Sequence, residues 1–318
     1  MDLSIIIVNW NTRELLEKCL GSVAARQGRL AVQTIVVDNN SADGSREMVA
    51  RQFPEVRLIN SGGNIGFGRG CNLGVQQAAA PLVLFLNPDT EIRGDALEKM
   101  AGFMEANPSV GALNCKIREP SGSAFGPGLQ WFPSPFTELA RLFLVSRETQ
   151  GRLSGLLPYH DPEVSGFVKK LFGGCLLVRE SVLARVGTFD ERFFMYCEDV
   201  DLSRRITAAG WKLYYLSEAE IIHLGGGASS RAPGRFSVLM MCESFSKLMR
   251  KYHGRAGSLG YRAVAFLGAQ FRLAVLLAMR ALMPLASAED KAEIASSLRK
   301  YFTIIQWSVG LQKPVIPG

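Results

Sequence analysis

The stretch PLVLFLNPDT (Pro81–Thr90) passes from an apolar run into Asn87, Pro88 and Asp89. Leu82 to Leu86 is too short for a buried helix and too apolar for a half-exposed strand, which predicts an inner strand of a mostly parallel sheet covered on both faces. Asp89 then falls at the carboxyl end of that strand. In open α/β sheets the ligand crevice lies outside this edge, and Pro88 denies the ladder a further hydrogen bond just where the polar residues begin. Two readings of the polar end fit. A carboxylate there can hold a hard divalent cation, which in turn holds a diphosphate; Asn, Pro and Asp are equally common in a plain strand-end turn.

Working outward, 318 residues can hold one large α/β domain with an appendage. The six cysteines, Cys19, Cys71, Cys115, Cys175, Cys197 and Cys242, include no CxxC pair. That argues against a zinc ribbon or a secreted disulfide scaffold and predicts reduced thiols in the cytosol. The first ten residues, MDLSIIIVNW, carry an apolar run too short for a signal-peptide core and are expected to form the first strand of the mature fold. The net charge of +7 is uneven: residues 231–318 hold 13 Lys and Arg against 4 Asp and Glu, a net +9, which leaves residues 1–230 at −2. The basic character belongs to the C-terminal stretch, which suits a polyanionic partner.

Leu3 to Val8 reads as a strand, followed by a helix with one apolar face (Leu15, Leu16, Cys19, Leu20, Val23) and a capping box of Asn11 and Glu14 at its start. A second unit follows, with Thr34 to Val37 as strand, the polar turn DNNSADGS (Asp38–Ser45), and a helix burying Met48, Val49 and Phe53; Val56 to Ile59 is a third strand. Neither turn carries GxGxxG, and GxxxxGK[ST] does not occur, which disfavours the usual dinucleotide fold and a P-loop. Instead GGNIGFGRGCNLG (Gly62–Gly74) opens a helix expected to run to Ala80, with Asn64 near its start and Arg69 in its first turns. This is either a diphosphate site or a glycine packing device.

Asp95 to Asn107 reads as a helix and Val110 to Cys115 as a strand. Residues 118 to 165, rich in Pro and aromatics, read as an irregular loop region bordering the acceptor side. Lys170 to Arg179 reads as a strand with the pair Gly173-Gly174. In FDERFFMYCEDVDLSRRI (Phe189–Ile206), Glu198, Asp199 and Asp201 crowd a helix start ahead of Arg204 and Arg205. The carboxylates either cap the helix and pair with the arginines, or one of them serves as a base. Leu213 to Leu216 is a strand, continued by Glu220 to His223. Beyond Arg231 the chain is helical, and Arg262, Arg272 and Arg280 interrupt the apolar stretch Leu259–Leu285, which predicts an interfacial amphipathic helix and not a membrane-spanning one.

Taken in order, SIIIVNWN, VVDNNSADGS, FLNPDT and FFMYCEDVDLSRRI with the downstream His223 resemble the inverting family 2 glycosyltransferases of the GT-A nucleotide-diphospho-sugar fold, especially their rhamnosyltransferase-like branch. The resemblance covers about residues 3 to 230. It implies a GT-A domain over 1–230 with a mostly parallel central sheet; the basic helical extension over 231–318, read from its charge and apolar pattern, lies outside the resemblance. The resemblance also implies that Asn9 and Asp38 flank a pyrimidine base, with Asp38 accepting from the ring N3–H. Asn39 stands where many relatives have a second Asp. Asn64, Gly66 and Arg69 would lie along the donor, a dTDP- or UDP-sugar such as dTDP-rhamnose. Asn87-Pro88-Asp89 takes the place of the DxD metal motif, so Mn²⁺ or Mg²⁺ would be held by Asp89, the donor diphosphate and His223, with Asn87 at the donor. Gly173 and Gly174 would floor the acceptor site beside Glu198, and Asp199 would be the base.

The expected reaction is a single displacement with inversion, onto a polyprenyl-linked or glycan acceptor. A sugar-phosphate nucleotidyltransferase is the rival enzyme, but residues 9–14 (NWNTRE) lack the Gly-rich basic loop of that class. A nucleic-acid-binding module is the non-catalytic rival. The basic residues of the C-terminal stretch are interleaved with aliphatics, which suits an anionic membrane surface better than stacked bases and predicts no nucleic-acid partner. The expected place of work is the cytoplasm, peripherally at the inner face of the cell membrane.

Overall fold

A computed structural model describes residues 1–126, 128–143, 158–225, 227, 235–282 and 287–317. The chain forms two compact units, Met1–Phe132 with Ser146–Arg231, and Pro133–Val145 with Ala232–Pro317. In chain order the elements are β1 (Leu3–Asn9), α1 (Arg13–Ala25), β2 (Val32–Asp38), α2 (Ser45–Gln52), β3 (Arg57–Asn60), α3 (Phe67–Val75), β4 (Leu82–Leu86), β5 (Thr90–Ile92) and α4 (Ala96–Ala106). Then come β6 (Val110–Arg118), β7 (Ala124–Phe125), β8 (Gly128–Leu129), α5 (Pro135–Phe143), β9 (Tyr159–His160), β10 (Gly166–Val168) and β11 (Cys175–Arg179). The last are α6 (Glu180–Val186), α7 (Glu198–Ala208), β12 (Lys212–His223), α8 (Phe236–Leu282) and α9 (Ala288–Ser308).

In the first unit the main sheet runs β10-β12-β6-β11-β4-β1-β2-β3, with β5 paired to β12. The pairs β1–β2, β1–β4, β2–β3 and β6–β12 are parallel, and β11 is the antiparallel strand between β4 and β6. Strand β4 is buried along its whole length. Leu84 and Leu86 pack with Leu16, Leu97 and Met100 on one face, while Val83 and Phe85 pack with Phe189, Leu202 and Ile206 on the other. Covering on both faces is why the strand reads as an unbroken apolar run.

Four local expectations change. The helix after the glycine-rich stretch is only Phe67–Val75. Gly66, at φ 90°, stands outside helical conformation, and at the far end the N–H groups of Ala79 and Ala80 bond to Ser4 Oγ, which ends the helical ladder before Ala80. The strand expected over Lys170–Arg179 is only Cys175–Arg179. Gly173 and Gly174 form a turn because their backbone groups bond to Asp199 and Asn87. The Asn11–Glu14 capping box does not form: Asn11 is left-handed at φ 54°, Thr12 is the N-cap, and the Arg13 N–H bonds to Asp43 Oδ2 at 2.8 Å. Finally, residues 118–165 are not one irregular loop. Among their described residues lie β7, β8, α5 and β9, and α5 belongs to the second unit.

The second unit is helical, built on Leu239, Cys242, Met249, Tyr261 and Trp307. Helix α8 is interrupted at Gly254 (φ 67°, ψ −165°). Although the sequence reading counts three arginines as interruptions, α8 is long and apolar enough, by length and composition, to cross a membrane. Arg262 is not an exposed interruption: its guanidinium bonds to Trp307 O at 2.6 Å and Ser308 O at 3.1 Å, at the C-terminal end of α9.

Candidate active site

The carboxyl ends of β1 and β2 meet side by side, with Asn9 opposite Asp38 in the ladder. Both side chains are fully buried. Asn9 Nδ2 donates to Asp38 Oδ2 at 3.0 Å, Ser41 N–H donates to Asp38 Oδ1 at 2.8 Å, and Thr12 Oγ1 donates to Asn9 Oδ1 at 2.6 Å. Buried polar groups must find partners, and here Asn9 and Asp38 find each other. The next residue differs. Asn39 Nδ2 donates to Gly66 O at 3.1 Å, whereas its Oδ1 is buried with no protein partner.

Gly66 is the N-cap of α3 and joins this wall to the loop ahead of α7. The Phe67 N–H donates to Phe194 O at 2.8 Å, and a Cβ on Gly66 would collide with that same carbonyl. Further along α3, Asn72 clamps Phe189 in both directions, donating to its O at 2.9 Å and accepting its N–H at 3.0 Å. Gly70 and Gly74 face β1, where a Cβ would press on Val8 and Ile6. The glycines therefore serve packing as well as backbone approach. Asn64 is half-buried in the turn before Gly66. Arg69 is exposed and paired with Glu191 at 3.2 Å.

At the end of β4, Asn87 is held by its backbone: its N–H donates to Gly174 O at 3.0 Å and its O accepts Thr90 Oγ1 at 2.7 Å. Asp89 is buried, and its Oδ1 lies 3.4 Å from His223 Nε2. The pairing of β12 with β5, His223 opposite Thr90, brings the two together. A Cβ on Gly227 would sit 2.5 Å from Asp89 Oδ2, so only glycine lets the backbone come this close to the carboxylate. Among the described residues no group of three His, Cys, Asp or Glu side chains gathers. One carboxylate and one imidazole fit a hard ion shared with a substrate, since such ions take few protein ligands and complete their shell with water and phosphate.

Glu198 and Asp199 open α7 directly after Tyr196 and Cys197, two consecutive non-glycine residues at φ 69° and 68°. Such conformations are sparsely populated and concentrate at functional sites. Asp199 Oδ2 accepts the Gly173 N–H at 2.8 Å, and its Oδ1 accepts the Val200 N–H at 2.7 Å. Burial raises the Asp199 carboxyl above its ordinary range, against the pull of those N–H groups. Glu198 does not pair with Arg204 or Arg205. It is buried, its Cβ lies 3.9 Å from a Cβ built on Gly68 of α3, and its Oε2 has no partner. Burial first, and then the charge of Asp199, hold it well above the usual carboxylate range. Asp201 is the residue that pairs, with Arg205 at 2.8 Å. Phe172, which the sequence reading does not single out, is 42% exposed beside Gly174. An aromatic directly before a glycine pair is the signal the sequence offers for it.

The structure thus brings together Asn9, Asp38, Asn39 and Gly66 at one wall, Asn87, Asp89 and His223 at the strand end, and Gly173, Gly174 and Asp199 between the strand end and α7. Glu198 stands on the α3 side, away from the Gly173 contact. The central sheet flanked by helices that positions these groups is the GT-A fold of the nucleotide-diphospho-sugar transferases. The family described as Glycosyl transferase family 2 matches residues 4–160. Over 248 residues the chain is 32% identical to an N-acetylglucosaminyl-diphospho-decaprenol L-rhamnosyltransferase of Mycobacterium tuberculosis, covering 73% of this chain and 78% of that one. It is 27% identical to Rhamnosyltransferase WbbL of Escherichia coli, covering 69% and 82%. Among solved structures, S. aureus TarS 1-349 shares the fold at a TM-score of 0.53 and 17% identity, covering 98% of this chain and 83% of that one. The chain belongs to glycosyltransferase family 2, in its rhamnosyltransferase-like branch, and is a glycosyltransferase.

Proposed function

We propose that the protein transfers rhamnose from dTDP-rhamnose to a hydroxyl of a polyprenyl-diphosphate-linked sugar at the cytoplasmic face of the membrane, with inversion at the anomeric carbon. The observation that carries the mechanism is the Gly173-Gly174 turn. Gly174 O holds the Asn87 N–H at the strand end, and Gly173 N–H holds Asp199. Two adjacent residues therefore tie the leaving-group side to the base side. The choice of sugar and lipid-linked acceptor rests on the activity that the M. tuberculosis relative is named for, and on WbbL. That TarS was solved in complex with UDP, at a TM-score of 0.50 and 15% identity, supports a pyrimidine nucleotide in this fold.

The pyrimidine N3–H contact falls to Asn39 Oδ1 in preference to Asp38, because Asp38 is committed to Asn9 and Ser41 while Asn39 Oδ1 is a buried acceptor without a partner. Asn64, Gly66 and Arg69 lie along the donor, Arg69 exchanging Glu191 for the diphosphate. Asp89 and His223 would hold Mn²⁺ or Mg²⁺, which would supply neutralising charge for the departing diphosphate. Asp199 takes the acceptor hydroxyl proton as that oxygen bonds to the anomeric carbon, and the bond from that carbon to the diphosphate oxygen breaks with its electron pair. The basic stretch 231–318 meets the anionic lipid. Incubation with a panel of dTDP-, UDP- and GDP-sugars and decaprenyl-diphospho-N-acetylglucosamine, read by mass spectrometry, tests this. A rhamnosylated lipid made from dTDP-rhamnose alone supports the reading, and transfer of another sugar or to another acceptor overturns it.

A further inference from the structure

We infer that the second unit docks on an anionic bilayer through a built apolar face, to which the internal helix α5 contributes alongside α8. The inference rests on the membrane reading above and adds which side chains enter the lipid. From Gly254 onward α8 has two unlike sides. One side packs inward through Tyr261 and Ala269, with the Arg262 guanidinium bonded to the α9 carbonyls and lying 4.5 Å over the Trp307 ring. The other side presents Leu259 (67% exposed), Leu267 (58%) and Phe271 (64%), with Val275 and Leu277 beyond them. Residues 259, 267, 271 and 275 follow the spacing of four that forms one ridge on a helix surface. A run of exposed large apolar residues on one face marks an interaction surface.

Helix α5 joins the same unit. A Cβ built on Gly260 would stand 3.3 Å from Pro135 Cβ, so α5 begins against α8 next to Leu259. Directly after that contact come Phe136, 78% exposed, and Leu139, 41% exposed. Charge decides the occupant. Residues 231–318 carry a net +9, which repels a second copy of the same unit and attracts anionic headgroups. The one-sided apolar exposure is that of an amphipathic helix lying in the interface with its apolar face toward the acyl chains.

Flotation of the full chain with phosphatidylcholine vesicles, with and without phosphatidylglycerol, tests the inference, using wild type, Leu267→Glu/Phe271→Glu and Phe136→Glu. Wild type is expected to float with the anionic vesicles and to be released by alkaline carbonate. The double variant should lose about tenfold or more of its partitioning, as two large apolar side chains no longer enter lipid, and Phe136→Glu should lose part of it. The substituted residues are exposed, so unchanged melting temperatures confirm intact folding. Wild type that floats with neither vesicle overturns the membrane reading as a whole. Wild type and double variant floating equally overturn the apolar face alone. Retention through carbonate until detergent is added overturns it in favour of a spanning helix. A double variant that changes the mass in solution but not the flotation overturns it in favour of a second copy.

Discussion

Glu198 and Asp199 are neighbours in the chain, yet their carboxyls face different walls: Asp199 accepts the Gly173 N–H, while Glu198 lies toward Gly68 of α3 with one oxygen unpartnered. The start of α7 turns consecutive side chains about 100° apart, so one dipeptide serves two environments. The proposal of Asp199 as the base therefore rests on its contact and not on its order in the chain.

Asp199→Asn keeps an oxygen for the Gly173 N–H but removes the carboxylate proposed as the base. Transfer should fall about 10²- to 10⁴-fold, with dTDP affinity by calorimetry within about twofold of wild type. Because burial raises this carboxyl, the wild-type rate should climb with pH through a range above that of an exposed aspartate. A rate flat across that range would remove Asp199 from the role.

Glu198→Gln probes stability. A carboxyl whose pKa is raised on folding contributes stability that is fully present below its unfolded pKa and is lost as pH rises through the folded one. Wild type and variant should melt alike in acid, and the variant should gain over wild type as pH rises from the ordinary carboxylate range upward. Thermal melts across pH read this directly, and a variant that loses ground as pH rises would contradict it.

Asp38 and Asn39 should separate structure from nucleotide binding. Asp38→Ala removes the partner of Asn9 and Ser41 and should lower stability by about 1–3 kcal/mol. Asn39→Ala should weaken dTDP binding by about tenfold, since a lost contact to an unpaired buried acceptor is worth about 1–1.5 kcal/mol. Denaturant melts and calorimetry on both proteins distinguish the effects.

Metal dependence should run through Asp89 and His223. His223→Ala should raise the Mn²⁺ needed for half-maximal rate by at least about 10-fold, the lower end of what even outer-shell partners contribute, and Asp89→Ala should do worse. Asn87→Asp should be tolerated, because the bonds that hold residue 87 come from its backbone. Full Asp89→Ala activity in excess chelator would return the strand end to a plain turn.

Gly66→Ala places a Cβ against Phe194 O at a backbone of φ 90°. The strain and collision together should cost about 1–3 kcal/mol or more, with transfer falling as well, because the same contact ties α3 to the loop before Asp199. Melting and turnover measured together check it.

Much of the fold was legible in the sequence because its signals are local. The unbroken apolar run of β4 reflects burial on both faces, and the polar ends of β1, β2 and β4 mark the sheet edge where ligands bind. The acidic helix start at 198–201 was legible for the same reason. Contacts between distant segments were not. No spacing in the chain shows that Asn87 and Asp199 are joined through residues 173 and 174, that Asp38 is occupied by Asn9 while Asn39 keeps an open acceptor, or that Glu198 turns toward α3. Nor does composition show that Arg262 is spent on the end of α9, or that residues 133–145 leave the first unit for the second. Hydrophobic periodicity specifies which residues are buried, but the partner of a buried polar group is chosen only when the sheet order sets which strand ends are neighbours.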